Sequence, residues 1–133
     1  MKLIYQTTFG ELNGNCFAAC IASLLELPIE SVPNFCSLGV DWLMATNKWL
    51  KSFDLWFLDT RLPKPIDLSF FYGYYIVSGK SPRHIDHSVI YKDSEMIHDP
   101  HPEGGGVVPE FAGFLISLQD TAQEGEKEEE KDE

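Results

Sequence analysis

Residues 15–28 have the sequence NCFAACIASLLELP, and this stretch decides the predicted fold. It is rich in Ala and Leu with apolar residues at helical spacing, so the sequence predicts an α-helix from Cys16 to Leu27. Asn15 is a favoured N-cap residue, and Pro28 is expected to end the helix. Cys16 then lies in the first helical turn, where the helix dipole and unpaired backbone N–H groups favour a thiolate.

The pattern changes from helical to strand-like along the rest of the chain. A second amphipathic helix is predicted within residues 39–53. Short aromatic or β-branched segments, separated by turn residues, predict strands at 55–58, 70–77, 87–91, 96–98 and 114–118. Helices followed by strands predict an α+β domain, with the cysteine-bearing helix packed on a small antiparallel sheet.

Charge is distributed unevenly along the 133 residues. Residues 120–133 hold eight acidic and two basic side chains, so six of the eleven net negative charges lie there. We expect one domain over residues 1–119 and an acidic, disordered tail over 120–133; a docking arm is the alternative for the tail. Neither part is basic enough to predict nucleic-acid binding.

Cysteine usage and hydropathy predict the compartment. No apolar run approaches the ~20 residues of a membrane-spanning helix, and the first residues lack the pattern of a secretory signal. Three cysteines cannot all pair, which favours reduced thiols. We therefore expect a cytoplasmic protein that binds neither membrane nor nucleic acid.

A predicted β-hairpin brings two polar residues together. His87 begins one strand, residues 92–95 form the turn, and Asp99 ends the returning strand. The end of the second strand then lies beside the start of the first, so His87 and Asp99 are expected to be neighbours. A carboxylate against one ring nitrogen fixes the tautomer of a histidine that takes a proton from a thiol.

A metal site is the alternative use of the histidines. Two pairs of histidines each have a spacing of three residues, His84 with His87 and His98 with His101. With Asp86 and Asp99 nearby, they could form a metal site. Strand alternation, however, directs His98 and Asp99 to opposite faces of the sheet. The sequence therefore predicts no metal and no other cofactor.

These features together resemble a known superfamily. A GNCFAA helix start at 14–19, a late histidine that begins a strand and an Asp-Pro pair at 99–100 are similar to the papain-like cysteine peptidases, particularly the small bacterial and phage branch related to bacteriocin-leader peptidases. The segments SPR at 81–83, HSVI at 87–90 and MIHDPHP at 96–102 are together similar to a string in small phage-encoded proteins. The resemblance covers residues 6–102 and implies a papain-like fold.

The resemblance also implies roles for individual residues. Cys16 would be the nucleophile, His87 its base and Asp99 the residue that orients the base. Such enzymes carry a Gln before the Cys that stabilises the oxyanion, and Gln6 is the only upstream Gln, with Asn13 or Asn15 as alternatives. We also assign Asn15, and His84 in the loop before the strand, to substrate binding.

The expected activity is a thiol hydrolase that acts on amide or isopeptide bonds of a protein or peptide substrate. Proteolysis is the leading version; deamidation, transamidation and removal of a conjugated tag use the same triad. A phage origin implies a host protein as target, in the host cytoplasm. The alternative from another class is a non-catalytic module that binds a host protein through its aromatic strand and acidic tail. The sequence leaves the oligomeric state open.

Overall fold

Two helices pack on a five-stranded antiparallel sheet in the computed structural model, which describes residues 1–119. The strand order is β1-β5-β2-β3-β4, and every neighbouring pair is antiparallel. The helices are α1 (Cys16–Leu25) and α2 (Trp42–Leu50). The strands are β1 (Leu55–Arg61), β2 (Tyr74–Lys80), β3 (Asp86–Lys92), β4 (Glu95–His98) and β5 (Val108–Ser117). The predicted α+β class is confirmed, and the tail expected at 120–133 lies outside the described residues.

Helix α1 begins at Cys16 as predicted and ends two residues earlier than expected. Glu26 adopts the left-handed conformation, with φ 57° and ψ 44°. The N–H groups of Glu26 and Leu27 both donate to the carbonyl of Ala22, which satisfies a helix-end acceptor. The helix therefore stops by a backbone cap before Pro28 is reached.

An aromatic cluster fixes the helices against one face of the sheet. The ring of Phe17 on α1 lies 5.3 Å from that of Trp42 and 5.2 Å from that of Phe57 on β1, all edge to face. Every α1 residue from Phe17 to Ser23 is buried. The first turn of α1 is thereby held over the sheet, where it packs against β3.

Asn47 on α2 covers the free edge of β1. Its side-chain oxygen accepts from the Phe57 N–H at 2.6 Å, and its nitrogen donates to the Phe57 carbonyl at 3.2 Å. An edge strand otherwise leaves such groups unpaired. Asn47 thus replaces a neighbouring strand and fixes the backbone on either side of Phe57.

The opposite face of the sheet has a second, smaller core. Tyr75, Val77, Val89 and Ala112 are buried there and are covered by apolar side chains of the segment between β1 and β2. That segment includes residues 70–73, which the sequence assigned to a strand. They form no strand because this stretch crosses over the sheet.

Within residues 1–119, no single helix is both long and apolar enough to cross a bilayer. One pair of helical segments, Cys16–Leu25 with Ile29–Phe53, has the required length and composition together but is bent by 104°.

Substituting Gly113→Ala should destabilise the protein, because a Cβ at this position would lie 2.0 Å from the Phe57 ring. That ring is 2% exposed and cannot retreat. We expect a loss of about 1–3 kcal/mol in the free energy of unfolding, measured by urea denaturation. In a Phe57→Ala background the same substitution should cost less than half as much. Equal losses in both backgrounds would contradict this packing.

Candidate active site

The β3–β4 hairpin joins His87 and Asp99, as the sequence predicts. His87 is the second residue of β3, and Asp99 directly follows β4. His87 Nε2 and Asp99 Oδ1 are 2.7 Å apart, and their side chains are only 3% and 5% exposed. A buried imidazole and carboxylate at this distance form a charge-assisted hydrogen bond.

The loop after β4 holds Asp99 in place through backbone donors. The His101 N–H donates to Asp99 Oδ1 and the Gly106 N–H to Oδ2, each at 2.9 Å. Gly106 has φ +66°, a conformation that favours glycine. Burial raises the pKa of Asp99, but the hydrogen bonds from His87, His101 and Gly106 outweigh burial and lower that pKa to about 2. Asp99 is therefore an anion with fixed orientation.

Cys16 and His87 face the same cleft, which has a volume of about 360 Å³. The sulfur comes from the first residue of α1 and the imidazole from β3, the strand on which α1 packs. Because Nε2 of His87 is bonded to Asp99, Nδ1 is the ring nitrogen left for the sulfur. Burial lowers the pKa of His87, but its interactions with Asp99 and Cys16 raise that pKa to about 9. These interactions favour the protonated form of the imidazole.

The other two cysteines occupy different surroundings. Cys20 is fully buried, and burial followed by the charge of Cys16 raises its thiol pKa well above the usual value. Cys36 is exposed as a residue yet lines the cleft, and desolvation of its sulfur, with the charge of Cys16, raises its pKa to about 12. Both thiols thus favour the neutral form.

Gln6 lies beside the hairpin and does not line the cleft. Its backbone N–H donates to the Pro100 carbonyl at 3.0 Å, next to Asp99, and its Nε2 donates to the Thr8 carbonyl at 3.1 Å. Gln6 is 7% exposed, and its Oε1 is buried without a hydrogen-bond partner in the described chain. Its oxyanion role remains a prediction.

Asn15 occupies the N-cap position of α1, but the predicted side-chain cap is absent. Its Oδ1 instead accepts from the N–H groups of Thr7 and Thr8 at 2.9 and 3.0 Å, and its Nδ2 donates to Thr7 Oγ1. Because Asn15 Oδ1 accepts these two hydrogen bonds from the loop before α1, it does not cap the helix. The side chain of Asn15 therefore orders residues 7–15 and leaves the first N–H groups of α1 without a side-chain acceptor.

His84, the other predicted substrate-binding residue, lies in the loop before β3. It is exposed with φ +64°, and its N–H donates to the Ser81 carbonyl at 2.9 Å. Neither His84 nor Asn15 is among the cleft-lining residues. Substrate contacts by either residue remain predictions.

Sequence reasoning missed most of the cleft wall. Acidic, hydroxyl and aromatic side chains surround Cys16 and His87; they are Glu11, Asp59, Asp86, Ser78, Ser88, Phe17, Trp42, Phe57 and Phe111, together with Cys36. One feature of the sequence could have identified Asp59 as a cleft residue. Strand alternation places Asp59 on the same face as the buried Phe57, an unusual position for a carboxylate.

Within residues 1–119, no group of three or more His, Cys, Asp or Glu side chains is arranged to hold a metal ion.

Replacing Asp99 by Ala should destabilise the protein in a pH-dependent way. The pKa of His87 is raised from 6.5 to about 9. The stabilisation of the folded protein by the charged ring is therefore complete below pH 6.5 and is lost as the pH rises through 9. The pKa of Asp99 is lowered from 3.8 to about 2, so its contribution is present above pH 3.8. We expect Asp99→Ala to lose roughly 2–4 kcal/mol at pH 6 and less at pH 10, measured by urea unfolding.

Asp86→Ala is the matched control, because it removes an exposed carboxylate of the neighbouring strand that pairs with Lys80 at 2.9 Å. It should change stability little at either pH. A pH-independent deficit for Asp99→Ala would contradict the ion pair.

Comparison with known proteins returns no match. No family model matches the chain, and no curated protein or solved structure matches it significantly.

Proposed function

We propose that the protein is a thiol hydrolase of papain-like type that cleaves amide or isopeptide bonds. The observation that carries the proposal is that Cys16 and His87 line one cleft while Asp99 is hydrogen-bonded to the His87 ring. The resemblance over residues 6–102 supports the same assignment. A cysteine at a helix start, packed on an antiparallel sheet whose strand carries the histidine, is also consistent with the papain-like arrangement.

In the proposed reaction, the protonated His87 ring stabilises a thiolate on Cys16. The sulfur attacks the substrate carbonyl carbon, forming an S–C bond and moving the carbonyl π electrons onto oxygen. The intermediate collapses as the C–N bond breaks, and the proton on His87 Nδ1 passes to the leaving amine. The neutral ring then takes a proton from water, which attacks the thioester and releases the acid and the Cys16 sulfur.

The start of α1 provides donors for the oxyanion. The backbone N–H of Cys16 is the proposed first donor, and the Asn15 side chain does not occupy the N–H groups of the residues that follow it. Their dipoles favour negative charge at this end of the helix. Gln6 is the proposed second donor, through the Nε2 N–H beyond the one given to the Thr8 carbonyl.

Proteolysis remains the leading version of this activity, with deamidation, transamidation and tag removal sharing the thioester step. We propose a protein or peptide substrate, which is a host protein if the chain is phage-encoded. The three free thiols suit a reducing compartment such as the cytoplasm.

A host-protein-binding module without catalysis is the second candidate. Exposed aromatic side chains favour it, since Phe70 and Tyr72 are 78% and 83% exposed.

Thiol reactivity separates the two functions. At pH 6, iodoacetamide should alkylate Cys16 at least ~10-fold faster than Cys36, because a neighbouring imidazolium favours the reactive thiolate. Cys20 should stay unlabelled because it is fully buried. Mass spectrometry of peptides after timed quenching gives the rate at each site.

Single substitutions show which cysteine is responsible for the fast alkylation. Cys16→Ala should abolish it, Cys36→Ala should leave it intact, and His87→Ala should slow it at Cys16. Equal, slow labelling of Cys16 and Cys36 would reject the hydrolase and favour the binding module.

A further inference from the structure

The cleft beside Cys16 and His87 has an excess of acidic groups. Glu11, Asp59 and Asp86 line it, and no Lys or Arg is among the lining residues that the structure describes. His87 is the one cationic group in the described lining, so the carboxylates outnumber it, and an excess of one charge concentrates ligands of the opposite sign.

The nearby lysine and arginine are engaged with carboxylates other than Asp59. Lys80 pairs at 2.9 Å with Asp86, itself one of the cleft carboxylates, which leaves Glu11 and Asp59 as the lining acids without a salt bridge within residues 1–119. Arg61 is two residues beyond Asp59 on the same strand face, but it pairs with Glu110 at 3.5 Å and lies over the Phe111 ring at 4.7 Å. These pairings leave the charge of Asp59 uncompensated within residues 1–119.

Asp59 is the acidic group that lies inside the cleft wall. It is half-buried on β1, on the same face as the fully packed Phe57, whereas Glu11 and Asp86 are exposed. Burial raises the pKa of Asp59, since desolvation penalises its charged form. A ligand cation against this carboxylate would remove that penalty.

The remaining walls suit a long cationic side chain. Trp42 provides aromatic surface on the cleft that contains Asp59, and the Phe111 ring, over which Arg61 lies, adds apolar wall. Lys and Arg bury their aliphatic stems against such surface while the charged group meets an anion, and aromatic faces attract the cation itself. A volume of about 360 Å³ is within the usual range for a ligand pocket.

We propose that the cleft takes a substrate with a Lys or Arg side chain next to the bond that is cleaved, and that Asp59 binds its cationic group. This inference rests on the proposed hydrolase for the bond, whereas the cation subsite itself depends only on the cleft. Asp59 is therefore a specificity-determining residue and not a member of the triad.

Charge-selective modification of Cys16 tests the subsite without requiring turnover. In a Cys36→Ala background, Cys16 is treated with a cationic trimethylammonioethyl or an anionic sulfonatoethyl methanethiosulfonate. The ratio of the cationic to the anionic rate is divided by the same ratio for free N-acetylcysteine. We expect a normalised ratio of at least ~10, in line with electrostatic steering into a charged cleft.

Asp59→Asn should lower this ratio at least threefold while keeping the side-chain shape. Asp54→Asn is the matched control, since it removes one charge from an exposed residue before β1 whose left-handed backbone Asn tolerates. A wild-type ratio near 1, or one unchanged by Asp59→Asn, would overturn the proposal. If Asp59→Asn fails to fold, a wild-type ratio near 1 would still overturn the proposal.

Peptide amides that differ only in Lys or norleucine before a fluorogenic leaving group extend the test to catalysis. We expect kcat/KM at least 10-fold higher for Lys, reduced towards parity by Asp59→Asn. Turnover without a Lys preference would overturn the inference and keep the hydrolase. Charge-selective labelling without turnover would keep the cation subsite and reject the hydrolase.

Discussion

The hydrogen bond between His87 and Asp99 is the interaction on which the rest of the site depends. It joins the start of β3 to the residue after β4 and fixes which ring nitrogen is left for Cys16. The loop that follows β4 folds back so that the N–H groups of His101 and Gly106 both reach the carboxylate. Strand pairing, loop conformation and the orientation of the imidazole are therefore all coupled to one buried anion.

A second constraint comes from the burial of α1. Residues Phe17 to Ser23 are enclosed by the protein, and Phe17 packs against Trp42 and Phe57. A helix held along most of its length cannot slide without opening the core. The sulfur at its first residue is consequently presented to the imidazole by the packing of the whole helix, while the Asn15 side chain orders the loop that leads into it.

Local signals explain what the sequence predicted well. The start of α1 at Cys16 follows from composition and a turn-rich loop before it, and the contact of His87 with Asp99 follows from hairpin geometry. The features it did not predict depend on tertiary contacts. The Asn15 side chain was expected to cap α1, but the N–H groups of Thr7 and Thr8 take its oxygen.

The length of β5 and the position of Asp59 in the cleft wall also depend on tertiary contacts that local sequence does not reveal. β5 extends over Val108–Ser117, twice the length predicted, because it is central and pairs with both β1 and β2. Gly113 in its middle weakens the strand signal, yet Phe57 needs that space. Asp59 lies in a cleft whose wall also includes Trp42 of α2 and Phe111 of β5, residues distant from it in the sequence.

The most direct test of the central claim is an NMR titration of the His87 ring in the wild-type protein and in Cys16→Ala. If Cys16, His87 and Asp99 form one coupled set, the ring should titrate with a pKa of about 9 in the wild type and at a lower pH in Cys16→Ala, since the sulfur contributes to the shift. A wild-type pKa near 6.5 that Cys16→Ala leaves unchanged would contradict the coupled set and, with it, the proposed chemistry.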